Sequence, residues 1–167
     1  ARGPARGVLD SKRLSPAQRE RAYAALVGSP GVRWAVAMAG PGRIDRVNIL
    51  RATLEAMSRA VRRVGGKVRR VLVDGNQVPA QLAERHPCEA IVGGDRKNFA
   101  IAAASIIAKV TRDRLMVRMD RKYPQYGFAA HKGYGTATHH RAIKRHGVTK
   151  VHRLSFEPMK SLAKRAR

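Results

Sequence analysis

Residues 71–76 read V-L-V-D-G-N, and residues 101–115 read I-A-A-A-S-I-I-A-K-V-T-R-D-R-L. A short apolar run that closes on Asp-Gly has the pattern of a buried strand leaving a sheet through a turn. The second run lacks glycine and proline, is rich in alanine, and repeats polar residues every four positions, as a long helix does. A strand followed by such a helix sets an α/β reading, and Asp74 and Asp113 become its two most informative side chains.

Working outward, Ser15-Pro16 supplies an N-cap and a proline at the first helical position, with Gln18 completing a capping box, so a helix is predicted to about Val27. Residues 32–39 place Val32, Trp34, Val36 and Met38 on one face, the period of a strand. Val47, Leu50, Leu54, Met57, Val61 and Val64 then form an apolar helical stripe that Gly65-Gly66 ends. Strands are predicted over residues 68–74 and 89–92, a helix over about 99–121, and a last helix from Thr136 to His146. The order is α/β within one domain, with residues 159–167 as a basic tail in which 160–167 are expected to fray.

The chain of 167 residues carries 35 Lys and Arg against 11 Asp and Glu, a net charge of +24 spread along its length. Such a field favours phosphate backbones. A ribosome-type structural protein would share the charge but would need none of the ordered motifs. One cysteine, Cys88, excludes an internal disulfide and a cysteine-rich zinc site. The six histidines show no zinc spacing, and the two adjacent ones, His139 and His140, do not share a helix face. No apolar run reaches membrane-span length, so a cytoplasmic protein without membrane partners, and a monomer, is expected.

Ser105, Lys109 and Asp113 fall at i, i+4 and i+8 and so share one helix face. Asp113 reads either as a surface ion-pair partner of Lys109, Arg112 or Arg114, or as a metal ligand with Lys109 and Ser105 near a phosphate path. Asp74 reads either as a turn aspartate or as a carboxylate at the carboxyl edge of the sheet, where sites of α/β proteins lie. Carboxylate oxygens suit Mg2+ and Mn2+. In H-K-G-Y-G-T at residues 131–136, two glycines flank Tyr134, so backbone can approach a ligand while the ring meets a sugar or base. Lys132 is a candidate for phosphate.

These blocks resemble the ribonuclease HII (type 2 ribonuclease H) family. The resemblance is carried by L-D-S-K-R-L-S-P at 9–16, I-D-R-V-N-I-L-R-A-T-L at 44–54, V-L-V-D-G-N at 71–76 and G-D at 94–95. It continues through the helical block at 101–115, Y-P-Q-Y-G-F-A-A-H-K-G-Y-G-T at 123–136 and H-R-L-S-F-E-P at 152–158. The resemblance implies a ribonuclease-H-like mixed sheet flanked by helices, with residues 1–158 as the catalytic domain. It implies Mn2+- or Mg2+-assisted cleavage of RNA in RNA/DNA hybrids and at single ribonucleotides in duplex DNA. Asp74 and Asp113 would be the metal-ligating catalytic carboxylates, and Tyr134 would sense the ribose beside the scissile bond.

The family pattern also opens with a strand bearing G-x-D-E-x-G-R-G, and this sequence contains no Asp-Glu pair. Arg2 and Gly3 match the arginine and final glycine of that motif, with nucleic-acid contact implied. The first two strands are therefore expected to be missing, and the chain by itself inactive and poorly folded. The alternative reading is a basic nucleic-acid-binding remnant of the family without catalysis.

Overall fold

The structure, a computed structural model, describes residues 14–165. The expectations for Arg2 and Gly3 lie outside them. The chain divides into two compact units, residues 14–37 with 57–110 and residues 38–56 with 111–165.

In the first unit, helix α1 (Pro16–Gly28) begins as predicted. Ser15 Oγ accepts from the Gln18 N–H at 3.3 Å, and Gln18 Oε1 accepts from the Ser15 N–H at 2.8 Å. Each side chain thus satisfies a donor the helix cannot. Its Leu26 packs with Ala103, Ile106, Ile107 and Val110 from the first half of the helix here called α6, Phe99–Lys122. The interior spacing of these four residues on α6 makes one apolar stripe against α1.

Strands β1 (Val71–Asp74) and β2 (Cys88–Ile91) pair in parallel, Val71 opposite Cys88 and Asp74 opposite Ile91. A parallel pair needs a crossover, and the short helix α4 (Ala80–Ala83) lies within it. Leu82 of α4 is buried with Val71 and Val73, and Met57 and Val61 pack against this cluster, as does the half-buried Cys88. Helix α3 (Ile49–Val64), which supplies Met57 and Val61, ends at two glycines that both hold φ +66°, a conformation other residues rarely adopt.

Residues 32–39 are not a strand. The segment pairs with no strand among the described residues, and the first unit's sheet has two strands there. Its tethers are side chains: Arg63 Nη1 donates to the Val36 carbonyl at 2.8 Å, and Trp34 meets the edge of Tyr23 at 6.4 Å between centroids. The alternating residues do not form one packed face either, since Val32 and Val36 are half-buried while Trp34 is 42% and Met38 57% exposed.

In the second unit, helix α2 (Pro41–Val47) precedes α3, and Asn48 at φ 68° breaks the two apart. The Asn48 side-chain oxygen accepts from the Arg51 N–H at 3.0 Å, capping α3, so that helix starts at Ile49 and not at Val47. A two-pronged ion pair joins the helices, Arg43 Nε to Glu55 Oε2 at 2.9 Å and Nη2 to Oε1 at 2.6 Å. Leu50, expected in the core stripe, is 46% exposed, while the small Ala52 is fully buried.

Asp45 on α2 accepts from the backbone N–H groups of Leu154 and Ser155, each at 2.9 Å, and from Ser155 Oγ at 2.5 Å. Burial pushes its carboxyl up, but those three donors and the Arg153 charge outweigh it and hold the carboxyl below its ordinary value. After α6 come a 3-10 turn (Pro124–Tyr126), α7 (Phe128–His131), α8 (Ala137–His146) and α9 (Met159–Arg165). Thr136 Oγ1 caps α8 from the His139 N–H at 3.2 Å, as predicted. Of the tail expected to fray, the described residues, through Arg165, are helical, because Met159 and Leu162 join the cluster of Met116, Tyr126, Phe128 and Ile143. No helix of the described residues is long and apolar enough to cross a membrane.

Candidate functional site

Asp74 is the last residue of β1 and is exposed at the carboxyl end of the parallel pair. Its Oδ1 accepts from the Gly94 N–H at 2.9 Å, at the start of helix α5 (Gly94–Lys97), which follows β2. The bond orients the carboxylate and leaves Oδ2 as its second donor oxygen. Close approach is what makes position 94 a glycine: a Cβ there would lie 2.5 Å from Ile101 Cδ1 and 3.4 Å from Ile91 Cβ. Gly94→Ala should therefore destabilise the protein by about 1–3 kcal/mol through overpacking, read as a lower denaturant midpoint at unchanged slope. A neutral result would mean that Ile101 yields without cost. Neighbouring Asp95 is buried in the same helix and is not part of the exposed edge.

Helix α6 carries Ser105, Lys109 and Asp113, all half-buried. The first two lie in the unit of Asp74, and Asp113 lies in the unit of Lys132 and Tyr134. Next to Asp113, Arg112 is exposed over much of its surface. Desolvation of its guanidinium, followed by repulsion from Arg153, nevertheless lowers its pKa against the opposing pull of Tyr134 and Asp113. One guanidinium nitrogen lies 3.4 Å from where a Cβ on Gly133 would stand. Arg112 thus shares one neighbourhood with Asp113, for which the sequence offered it as a partner, and with Tyr134, to which the sequence did not link it.

Tyr134 is 65% exposed at the tip of the turn after α7. The turn is held by its backbone, with Tyr134 N–H donating to the His131 carbonyl at 2.9 Å and Thr136 N–H donating to the Tyr134 carbonyl at 2.8 Å. Lys132, at φ 52°, turns its ammonium onto the Ala129 carbonyl at 2.6 Å, so here it braces the turn. Beneath lie three buried histidines that sequence spacing did not group, His131, His139 and His152. The rings of His131 and His139 stack at 4.3 Å, and Phe128 meets both edge-on.

Burial lowers the pKa of His139, helped by the charges His131, His152 and His140 would carry, and outweighs the hydrogen bond to the Tyr134 carbonyl; burial likewise lowers that of His152. The folded protein then binds these protons less readily than the unfolded chain. Their contribution to stability is complete above the ordinary histidine value of about 6.5 and is lost as pH falls through the lowered folded values. Melting temperature should drop between about pH 7.5 and about pH 5.5. The Asp45 carboxyl gives a separate loss, below its own ordinary value of 3.8. A flat melting temperature across the first window would refute the histidine assignment.

The ribonuclease HII family profile matches residues 4–159. Ribonuclease HII of Halorhodospira halophila is 50% identical over 161 residues, covering 95% of this chain and 81% of that one. Ribonuclease HII of Coxiella burnetii is 49% identical over 156 residues, covering 93% and 75% respectively. Among solved structures, ribonuclease H2 from Pyrococcus horikoshii OT3 superposes with a TM-score of 0.77 at 26% identity, covering 95% of this chain and 81% of that one. With half its residues shared along nearly its whole length, the chain belongs to the ribonuclease HII family, enzymes of the ribonuclease H type.

Proposed function

We propose that the protein cleaves the RNA strand of RNA/DNA hybrids and nicks duplex DNA on the 5′ side of single ribonucleotides, leaving a 3′-hydroxyl and a 5′-phosphate. The observation that carries this reading is the exposed Asp74 carboxylate at the end of β1, aimed by the Gly94 N–H. Its donor chemistry fits a hard divalent cation such as Mn2+ or Mg2+, and Asp74 and Asp113 would be two of the ligands. When bound, such a cation supplies a more acidic water and stabilisation of the departing 3′ oxygen.

The chain's own residues do the rest. Lys109 and Ser105, on the helix of Asp113, would meet the phosphate path. Tyr134 would lie against the ribose whose 2′-hydroxyl separates RNA from DNA. The +24 charge would hold the duplex backbone without regard to sequence.

One observation favours a second reading. Among the described residues, no group of three His, Cys, Asp or Glu side chains is placed to hold a metal. A set of two carboxylates is partial, which suits a nucleic-acid-binding protein without catalysis. A labelled duplex with one ribonucleotide separates the two. Nicking that requires Mn2+ or Mg2+ and stops with EDTA supports the first reading, and tight binding without nicking supports the second.

A further inference from the structure

We propose that the buried histidines His152 and His139 form a directed hydrogen-bond relay that fixes the Tyr134 turn through its carbonyl oxygen, which makes His139 a positioning residue for ribonucleotide recognition. The inference rests on the reading of Tyr134 as the ribose contact and deepens it.

Each ring has partners that leave one tautomer. His152 Nδ1 accepts from the Thr149 N–H at 3.0 Å, so its Nε2 carries the proton. That Nε2 faces His139 Nε2 at 3.4 Å and donates to it. The His139 proton is then on Nδ1, where it donates to the Tyr134 carbonyl at 2.9 Å. Independently, His131 Nδ1 accepts from the Gly133 N–H at 3.1 Å, and its Nε2 donates to the Tyr126 carbonyl at 2.7 Å. Every donor in the series points at an acceptor. Running from Thr149 through His152 and His139, the series ends on the peptide of the exposed tyrosine.

The arrangement does more than fill the core. Buried rings of the same size without nitrogens would pack as well, but they would leave the Tyr134 carbonyl with the Thr136 N–H alone. The side chain of Tyr134 is 65% exposed, so the orientation of that peptide plane contributes to the direction in which it leaves the turn. Both His131 and His139 act on the same short turn, one through the Gly133 N–H and the other through the Tyr134 carbonyl.

The test compares His139→Asn with His139→Gln in the full chain. The asparagine amide nitrogen lies where Nδ1 stands and can donate to the Tyr134 carbonyl; the glutamine amide reaches toward Nε2 and cannot. Affinity is measured by fluorescence anisotropy, in EDTA, for an all-DNA duplex and for the same duplex with one ribonucleotide. We expect His139→Gln to lose about fivefold to tenfold of the preference for the ribonucleotide, the worth of about one hydrogen bond, with all-DNA affinity unchanged. His139→Asn should keep the preference, and Tyr134→Ala combined with His139→Gln should lose no more than Tyr134→Ala alone. Equal behaviour of the two His139 variants, or equal weakening on both duplexes, overturns the relay. If Tyr134→Ala keeps the preference, the reading of Tyr134 itself has failed and the relay's role falls with it.

Discussion

Replacing Asp74 with asparagine should lower metal-dependent nicking on the order of 10³-fold, about 4 kcal/mol of transition-state stabilisation, without lowering the melting temperature. The geometry makes this a test of charge. An asparagine oxygen can still accept from the Gly94 N–H, which holds Oδ1 at 2.9 Å in the native chain. The amide nitrogen then falls where Oδ2 stood and presents hydrogens to the cation in place of a donor oxygen. Local structure is kept while the negative charge is lost and the donor inverted. Nicking that survives this change would remove Asp74 from the metal site. A melting temperature that falls along with activity would instead assign it a structural task.

The second large effect is on binding. With 35 basic residues against 11 acidic ones, the chain should release many counterions from a duplex. Contact with about six to ten phosphates predicts a loss of roughly 10³–10⁵ in affinity between about 50 mM and about 200 mM salt. The loss should be the same for duplexes of different sequence, because phosphates carry no sequence information. A log–log slope near zero would place the positive charge away from the nucleic acid and remove the main reason for the composition.

What the sequence disclosed, it disclosed through local rules. Ser15 with Gln18, Gly65-Gly66, and Thr136 before α8 each act within a turn of their own helix, and each stands where it was predicted. Strand β1 was found because an apolar run with Asp-Gly at its end is a short-range signal, although it starts at Val71 and not at residue 68, and β2 lies one residue earlier than residues 89–92. Residues 32–39 misled because alternation says nothing about a neighbouring strand, and without one Trp34 and Met38 of the alternating set lie exposed. Helix α2 was passed over although Gly40-Pro41 marks its start, and α9 was hidden by basic residues around Met159 and Leu162.

At the site, the chemical type and position of Asp74 were legible, but its hydrogen bond to Gly94 was not, since it links residues 20 apart. Burial of three histidines in one cluster was equally hidden. Their ring nitrogens are committed to backbone groups and to each other, a pattern that no spacing rule for ligands describes.

The Asp45 clasp has a consequence for biosynthesis. Its carboxylate closes on Leu154 and Ser155, 109 and 110 positions later. As the chain leaves the ribosome, α2 therefore waits without this partner until residues 154 and 155 have been made. The compact unit assembled from residues 38–56 and 111–165 cannot be finished before its second segment has left the exit tunnel. A nascent chain arrested before Ser155 clears the exit tunnel should leave α2 open to protease, and one arrested after residue 165 has cleared it should protect α2.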